Sequence, residues 1–122
     1  MLSKFELNLG NVLLDDLKIS NDLYPSIKFF RQSIHSVQIW LMCLKSYHDE
    51  NYFLNLETIY RETNKLKLIS RPSIVKFIKE AERNDYIYLT KNKIDKRGRL
   101  IFPTDQTVLE YQKWSKNFLN LD

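Results

Sequence analysis

The segment Ser70-Arg-Pro-Ser-Ile-Val-Lys-Phe-Ile-Lys-Glu-Ala-Glu-Arg83 decides the fold of this chain. Ser70 is a good helix N-cap, because a serine hydroxyl can accept a hydrogen bond from a free amide of the first turn. After it, apolar residues recur at helical spacing and polar residues lie opposite them. The segment therefore predicts a short amphipathic helix, with a buried stripe of Ile74, Phe77, Ile78 and Ala81 and an outer face of Ser73, Lys76, Lys79 or Glu80, and Arg83.

A second short helix is predicted directly before this one. Asn55 can cap a helix that runs through Asn64, and residues 65–69 then turn the chain. Two short helices joined by a turn, the second with a basic outer face, describe a helix-turn-helix over about residues 55–83.

A two-stranded hairpin is predicted after the helix. Asn84 and Asp85 tolerate left-handed backbone, so they can end the helix where glycine is the usual choice. Residues 86–91 and 100–102 are rich in aromatic and branched side chains, and the polar stretch between them contains Gly98. These runs predict a basic-tipped hairpin at about residues 86–103.

Terminal helices are predicted on both sides of this unit, at about residues 21–48 and 104–119. The first, one long helix or two abutting ones, begins near Pro25 and places its apolar residues on one face. Those residues are Ile27, Phe30, Ile34, Val37, Leu41 and Leu44. Thr104 can cap the last helix, whose aromatic stripe must be buried against something. Periodicity alone does not decide between strand and helix for the first twenty residues.

Length and composition favour one globular domain over residues 1–122. Two glycines and three prolines leave little room for linkers. No apolar run approaches the roughly 20 residues that cross a bilayer, so we expect a cytoplasmic protein without a membrane partner. A single cysteine, Cys43, cannot build an internal disulfide framework.

The charge of the chain is polarised. Between Lys65 and Arg99 there are eleven basic and four acidic residues, a net +7, whereas the other 87 residues carry eight basic and eleven acidic ones, a net −3. Such a concentrated positive field suits a polyanion.

The order of these parts resembles the MarR-like winged-helix transcription regulators, over roughly Ser33 to Leu119. Members of that family show a Ser or Thr at the start of the recognition helix, a Leu-Glu-x-x-Gly exit, a wing with Asp-x-Arg, and an apolar-Thr start to the next helix. The matching residues here are Ser70, residues 81–87, Asp95 to Arg97 with Arg99, and Pro103-Thr104. Ala81 and Asp85 depart from the expected Leu and Gly.

The resemblance implies a mainly α fold with a small β-hairpin wing: a winged helix-turn-helix with N- and C-terminal dimerisation helices. It also implies a homodimer on palindromic double-stranded DNA, with recognition helices in the major groove and wings in the minor groove. The C-terminal residues assigned to dimerisation are Val108, Tyr111, Trp114 and Phe118.

Individual roles follow from position on the recognition helix and wing. Arg71, Ser73 and Lys76 lie where helix-turn-helix proteins reach base edges. Phosphate contacts are predicted for Lys65, Lys67, Ser70, Lys79, Arg83 and Lys93. In the wing we expect Arg97 or Arg99, beside Lys96, to enter the minor groove; Asp95 either orients the arginine or is simply a turn residue.

Other functions are less favoured. Cys43 lies among apolar neighbours, which is typical of an inert buried thiol rather than a redox sensor. No Gly-rich phosphate loop or nucleophile elbow is present, so we expect neither an enzyme nor a cofactor or metal site. Two alternatives stay open: a winged-helix module that docks on a protein, and a plasmid or phage replication or partition protein that binds DNA. A DNA-binding regulator would be associated with the nucleoid.

Overall fold

The described chain begins with three helices. The computed structural model describes residues 1–90 and 98–119, except for the side chains of 19–21 and 119. Helix α1 spans Lys4–Leu23, α2 spans Pro25–Phe30 and α3 spans Ile34–His48. The first twenty residues, for which strand and helix were both open, therefore belong to a helix from Lys4 onward.

The break between α2 and α3 interrupts the apolar helical face that the sequence predicts from Ile27 to Leu44. Ser33 caps α3 in a capping box, in which Ser33 and Ser36 each accept the other's backbone amide with the side-chain oxygen. The helix therefore restarts with a new phase after residues 31–33. Ile34 and Leu41 of the predicted apolar face are exposed in the chain, and the buried face of α3 carries Ser36, Ile39, Trp40, Met42, Cys43 and Ser46.

The helix-turn-helix and hairpin follow the predicted order. Helix α4 spans Leu56–Leu66, α5 spans Arg71–Arg83, β1 spans Ile87–Leu89, β2 spans Ile101–Pro103 and α6 spans Asp105–Leu119. The predicted caps of α4 and α5 are present: Asn55 accepts the Thr58 amide at 2.8 Å, and Ser70 accepts the Ser73 amide at 3.2 Å. The hydroxyl of Thr104, predicted to cap the last helix, instead donates to the Asp85 carbonyl at 2.8 Å. Asp85 ends α5 with a left-handed backbone, φ 64°.

The hairpin is antiparallel and short. Ile87 pairs with Pro103, and Leu89 pairs with Ile101. Ile101 also donates its amide to the Leu54 carbonyl at 2.8 Å, which ties the hairpin to the segment that leads into α4.

The core lies between α2, α3, α5 and the hairpin. Its fully buried apolar members are Ile27, Phe30, Ile39, Cys43, Leu54, Ile59, Ile74, Ala81, Ile87 and Ile101. Aromatic rings extend it towards α6: Trp40 lies 5.5 Å from Tyr111 and 5.6 Å from Trp114, between ring centroids. The C-terminal helix is therefore part of the same packing.

Glu110 of α6 fastens the start of α2. One carboxylate oxygen of Glu110 accepts the Ser26 amide at 2.9 Å and the Ser26 hydroxyl at 2.6 Å. Ser26 is completely buried, so removal of the acceptor leaves a buried amide and a buried hydroxyl without their partner.

We expect Glu110→Ala to lower the free energy of unfolding by about 1.5–3 kcal/mol, because hydrogen bonds to charged groups contribute that much. Urea unfolding followed by circular dichroism measures the change. The matched control is Glu82→Ala at an exposed position on α5, for which we expect a change within about 0.5 kcal/mol. An equal loss in both variants would contradict the assigned role of Glu110.

Candidate nucleic-acid interface

Three cations form a row on the outer face of α5. Lys76, Lys79 and Arg83 are exposed and follow each other at spacings of three and four, so they share one face of the helix. Among the described residues, none of these three side chains has an ion-pair or hydrogen-bond partner. A shallow groove of about 390 Å³ runs beside them, with Pro72 and Val75 in its wall. We call Lys76, Lys79 and Arg83 the α5 cation row.

Arg71, predicted to read bases, instead lies against α4. Its guanidinium pairs with the Glu57 carboxylate and lies 4.4 Å from the centre of the Tyr60 ring. The hydrogen bond from Arg71 lowers the pKa of Glu57, and the same bond raises the pKa of Arg71. Both side chains are exposed, and exposed ion pairs are weak. Arg71 is therefore held only weakly by Glu57, and its role in base readout stays a prediction.

The two serines at the start of α5 are engaged with each other. Their hydroxyl oxygens lie 2.7 Å apart, and Ser70 Oγ also accepts the Ser73 amide. Ser70, predicted for phosphate contact, is thus the N-cap of the helix in this structure. Ser73, predicted for base readout, supplies the amide that Ser70 caps.

The lysines of the turn differ in their surroundings. Lys65 Nζ lies 3.2 Å from a Glu62 carboxylate oxygen, whereas the Lys67 side chain is exposed. The carbonyl of Lys67 accepts a hydrogen bond from His35 Nε2 at 2.6 Å. Helix α3 therefore holds the turn in place, and sequence reasoning assigned His35 no such role.

In the wing, Arg99 folds back along the hairpin. Its Nε donates to the Thr90 carbonyl at 2.8 Å, and Thr90 pairs in turn with Leu100 through its amide and hydroxyl. Gly98, just before Arg99, has a left-handed φ of 79°. The other predicted wing and phosphate residues, Lys93, Asp95, Lys96 and Arg97, lie outside the described residues.

The residues predicted for dimerisation contact their own chain. Val108 is buried, and Tyr111 and Trp114 pack on Trp40. Trp114 Nε1 also donates to the Asp16 carboxylate at 2.7 Å, and Phe118 stacks on Trp114 at 5.3 Å. Their role between two chains stays a prediction.

Helix α1 carries a feature that sequence reasoning missed. Its large apolar side chains are exposed: Phe5, Leu7, Leu9, Leu13, Leu14 and Leu17. The signal was present in the spacing of Phe5, Leu9, Leu13 and Leu17, four residues apart, which is that of one helical face.

Within residues 1–90 and 98–119, His, Cys, Asp and Glu form no group of three or more placed to hold a metal ion. None of the helices in those ranges combines the length and apolar character needed to cross a membrane.

Comparison with known proteins supports the fold. No family model and no curated protein matches the sequence. Among solved structures, AbsC, a MarR family transcriptional regulator from Streptomyces coelicolor, matches with a TM-score of 0.52 at 12% identity, over 99% of this chain and 78% of that one. This likeness confirms the predicted winged-helix fold.

Two further structures match at lower TM-scores. The transcriptional regulator SlyA has a TM-score of 0.47 at 18% identity, over 97% of this chain and 80% of that one. A putative MarR family transcriptional regulator from Listeria monocytogenes, complexed with 26-mer DNA, has a TM-score of 0.45 at 21% identity, over 98% of this chain and 76% of that one.

Cys43 allows a direct test of the buried-thiol interpretation. The side chain is completely buried, and burial raises the pKa of the Cys43 thiol to about 12. Because only the thiolate is reactive, we expect negligible labelling by a thiol reagent in mildly alkaline buffer and full labelling in urea. Labelling of the folded protein at the rate of a free thiol would contradict the buried position.

Proposed function

We propose that this chain is a sequence-specific double-stranded DNA-binding regulator of transcription that acts as a homodimer, with α5 in the major groove and the wing in the minor groove. The observation that carries the proposal is the α5 cation row, a set of charges that has no ion-pair partner among the described residues and lies on the second helix of a helix-turn-helix. The proposal includes a cytoplasmic, nucleoid-associated location.

The cation row fits duplex DNA by position as well as by charge. In helix-turn-helix proteins the N-terminal part of the second helix reaches base edges and the remainder faces phosphates. Lys76 is the exposed cation of the row nearest the N-terminus of α5, so it is our first candidate for base readout. Lys79 and Arg83, further along, are placed for phosphates. Arg71 joins them once DNA competes with Glu57 for its guanidinium.

Helix α1 supports the homodimer. A chain that left this helix without a partner would expose an apolar surface of a kind that monomeric proteins rarely show. The two-fold symmetry of a dimer matches a palindromic site, because each recognition helix then meets an equivalent half-site.

The protein-docking alternative loses its original motivation. That motivation is the aromatic stripe of the C-terminal helix, which a partner protein could cover if the stripe were open to solvent. The structure packs Tyr111 and Trp114 of that helix against Trp40, so this face is used inside the chain.

We expect Lys79→Ala to weaken binding to specific and random duplexes alike and to reduce the slope of log K against log salt by about 1. Lys76→Ala should weaken the selected sequence more than random duplex, since it removes a base contact. Fluorescence anisotropy on duplexes selected from a random pool measures both, with Lys113→Ala on α6 as the control. Absence of salt-sensitive duplex binding by the unmodified chain at low ionic strength would overturn the proposal.

The dimer is tested separately on α1. We expect the double variant Leu13→Ser, Leu17→Ser to weaken dimerisation at least about tenfold, because each leucine loses apolar burial. Sedimentation velocity over a range of concentrations measures the effect. Leu66→Ser, at an exposed leucine of α4, is the control and should leave dimerisation unchanged. A monomeric unmodified chain at every concentration would contradict the homodimer.

A further inference from the structure

A second groove lies between α3 and α4, where the chain between these helices also contributes to its wall. Its volume is about 640 Å³, and it is lined by apolar, polar and charged side chains. We call it the α3–α4 groove. None of the residues assigned to DNA contact lines it.

The groove keeps large apolar side chains in water. Leu41 of α3 is 49% exposed and Phe53 is 41% exposed. Leu41 belongs to the apolar helical face that the sequence predicts from Ile27 to Leu44. Adjacent exposed apolar residues with a polar rim are typical of a surface that receives a partner.

The rim of the groove is basic. Lys45 Nζ lies 4.6 Å from the centre of the Tyr52 ring, and Arg61 reaches only the carboxylate of its neighbour Glu62, at 3.4 Å. Two cations and one anion therefore line the groove, and Glu62 is shared with Lys65. A partner that complements this rim carries acidic side chains.

One polar group in the wall also lacks a donor. Gln38 Nε2 donates to the Glu62 carbonyl at 3.1 Å, which fixes the orientation of the amide. Gln38 Oε1 is then buried with no hydrogen-bond partner among the described residues.

The α3–α4 groove faces away from the recognition helix. Arg71 of α5 contacts α4 at positions 57 and 60, whereas the groove uses positions 58, 61 and 62. At about 100° per residue, the centres of these two sets lie about 120° apart around α4. A partner in the groove and DNA on α5 would therefore not compete for the same surface.

We propose that the α3–α4 groove docks an acidic amphipathic helical segment of a partner protein, with apolar residues on Leu41 and Phe53 and carboxylates on Lys45 and Arg61. Docking of the partner does not require DNA. Only one part of the proposal rests on the proposed function, namely that the partner docks while the chain is bound to DNA. The site gives the proposed regulator a contact for a second protein on a surface separate from the residues assigned to DNA.

The experiment uses a fluorescent synthetic peptide of about 15 residues, with leucine and phenylalanine on one helical face and glutamate elsewhere. A second peptide replaces every glutamate with lysine. We expect the acidic peptide to bind the full chain with a micromolar Kd and the basic peptide to bind at least about tenfold more weakly. Anisotropy measures both, with and without a saturating DNA duplex.

Variants locate the site. Leu41→Ser and Arg61→Glu should each weaken the acidic peptide about tenfold. Leu109→Ser on α6 is matched to Leu41→Ser, because Leu109 is 50% exposed, and should leave binding unchanged. Lys79→Ala should also leave it unchanged, which excludes attachment of the acidic peptide to the α5 cation row.

Four results would overturn the inference: equal effects of Leu41→Ser and Leu109→Ser, equal binding of both peptides, displacement of the peptide by DNA, or self-association of the chain that Leu41→Ser abolishes. The last would make a second copy the occupant. Peptide binding that follows the groove variants in a chain that binds no DNA would support docking and refute the proposed function alone.

Discussion

The arrangement of the molecule depends on the burial of Ile101. Its side chain is fully buried, its amide donates to the Leu54 carbonyl at 2.8 Å, and its carbonyl accepts the Ser46 hydroxyl at 3.1 Å. The same residue pairs with Leu89 in the hairpin. One residue therefore joins α3, the entrance to α4 and the wing. Because this position satisfies both backbone groups of Ile101, it fixes the second strand of the wing against α3 and the entrance to α4.

A second junction links the recognition helix to the hairpin and α6. Asp85 ends α5 in the left-handed region, and the next amide, that of Tyr86, bonds back to the Ala81 carbonyl at 2.9 Å. The Tyr86 carbonyl then accepts the Thr107 hydroxyl at 2.6 Å and the Thr104 amide at 3.1 Å. The C-terminal helix is thus oriented by the residue that directly follows the exit of α5.

The sequence predicted those parts of the fold whose signals are local. Asn55 and Ser70 were correct as caps because capping depends on one side chain and the next three residues. The phase of α3 could not be predicted, since the break at residues 31–33 resets the buried face and moves Ile34 and Leu41 into water. The site shows the same limit. That Lys76 is exposed follows from its helical position, but the attachment of Arg71 to Glu57 is a contact between two helices that periodicity does not encode.

The pairing of charges separates two kinds of cation in this molecule. Arg71, Lys65 and Arg99 each bind a carboxylate or carbonyl of the chain itself, so they contribute to the arrangement of α4, the turn and the wing. The α5 cation row has no such partner among the described residues. Lysine and arginine side chains lose considerable rotamer entropy when a partner orders them. The side chains of the α5 cation row, which have no such partner among the described residues, retain this entropy until a ligand binds. Binding of a polyanion to this row would therefore come mainly from long-range charge attraction and counterion release, and its affinity would fall steeply as ionic strength rises.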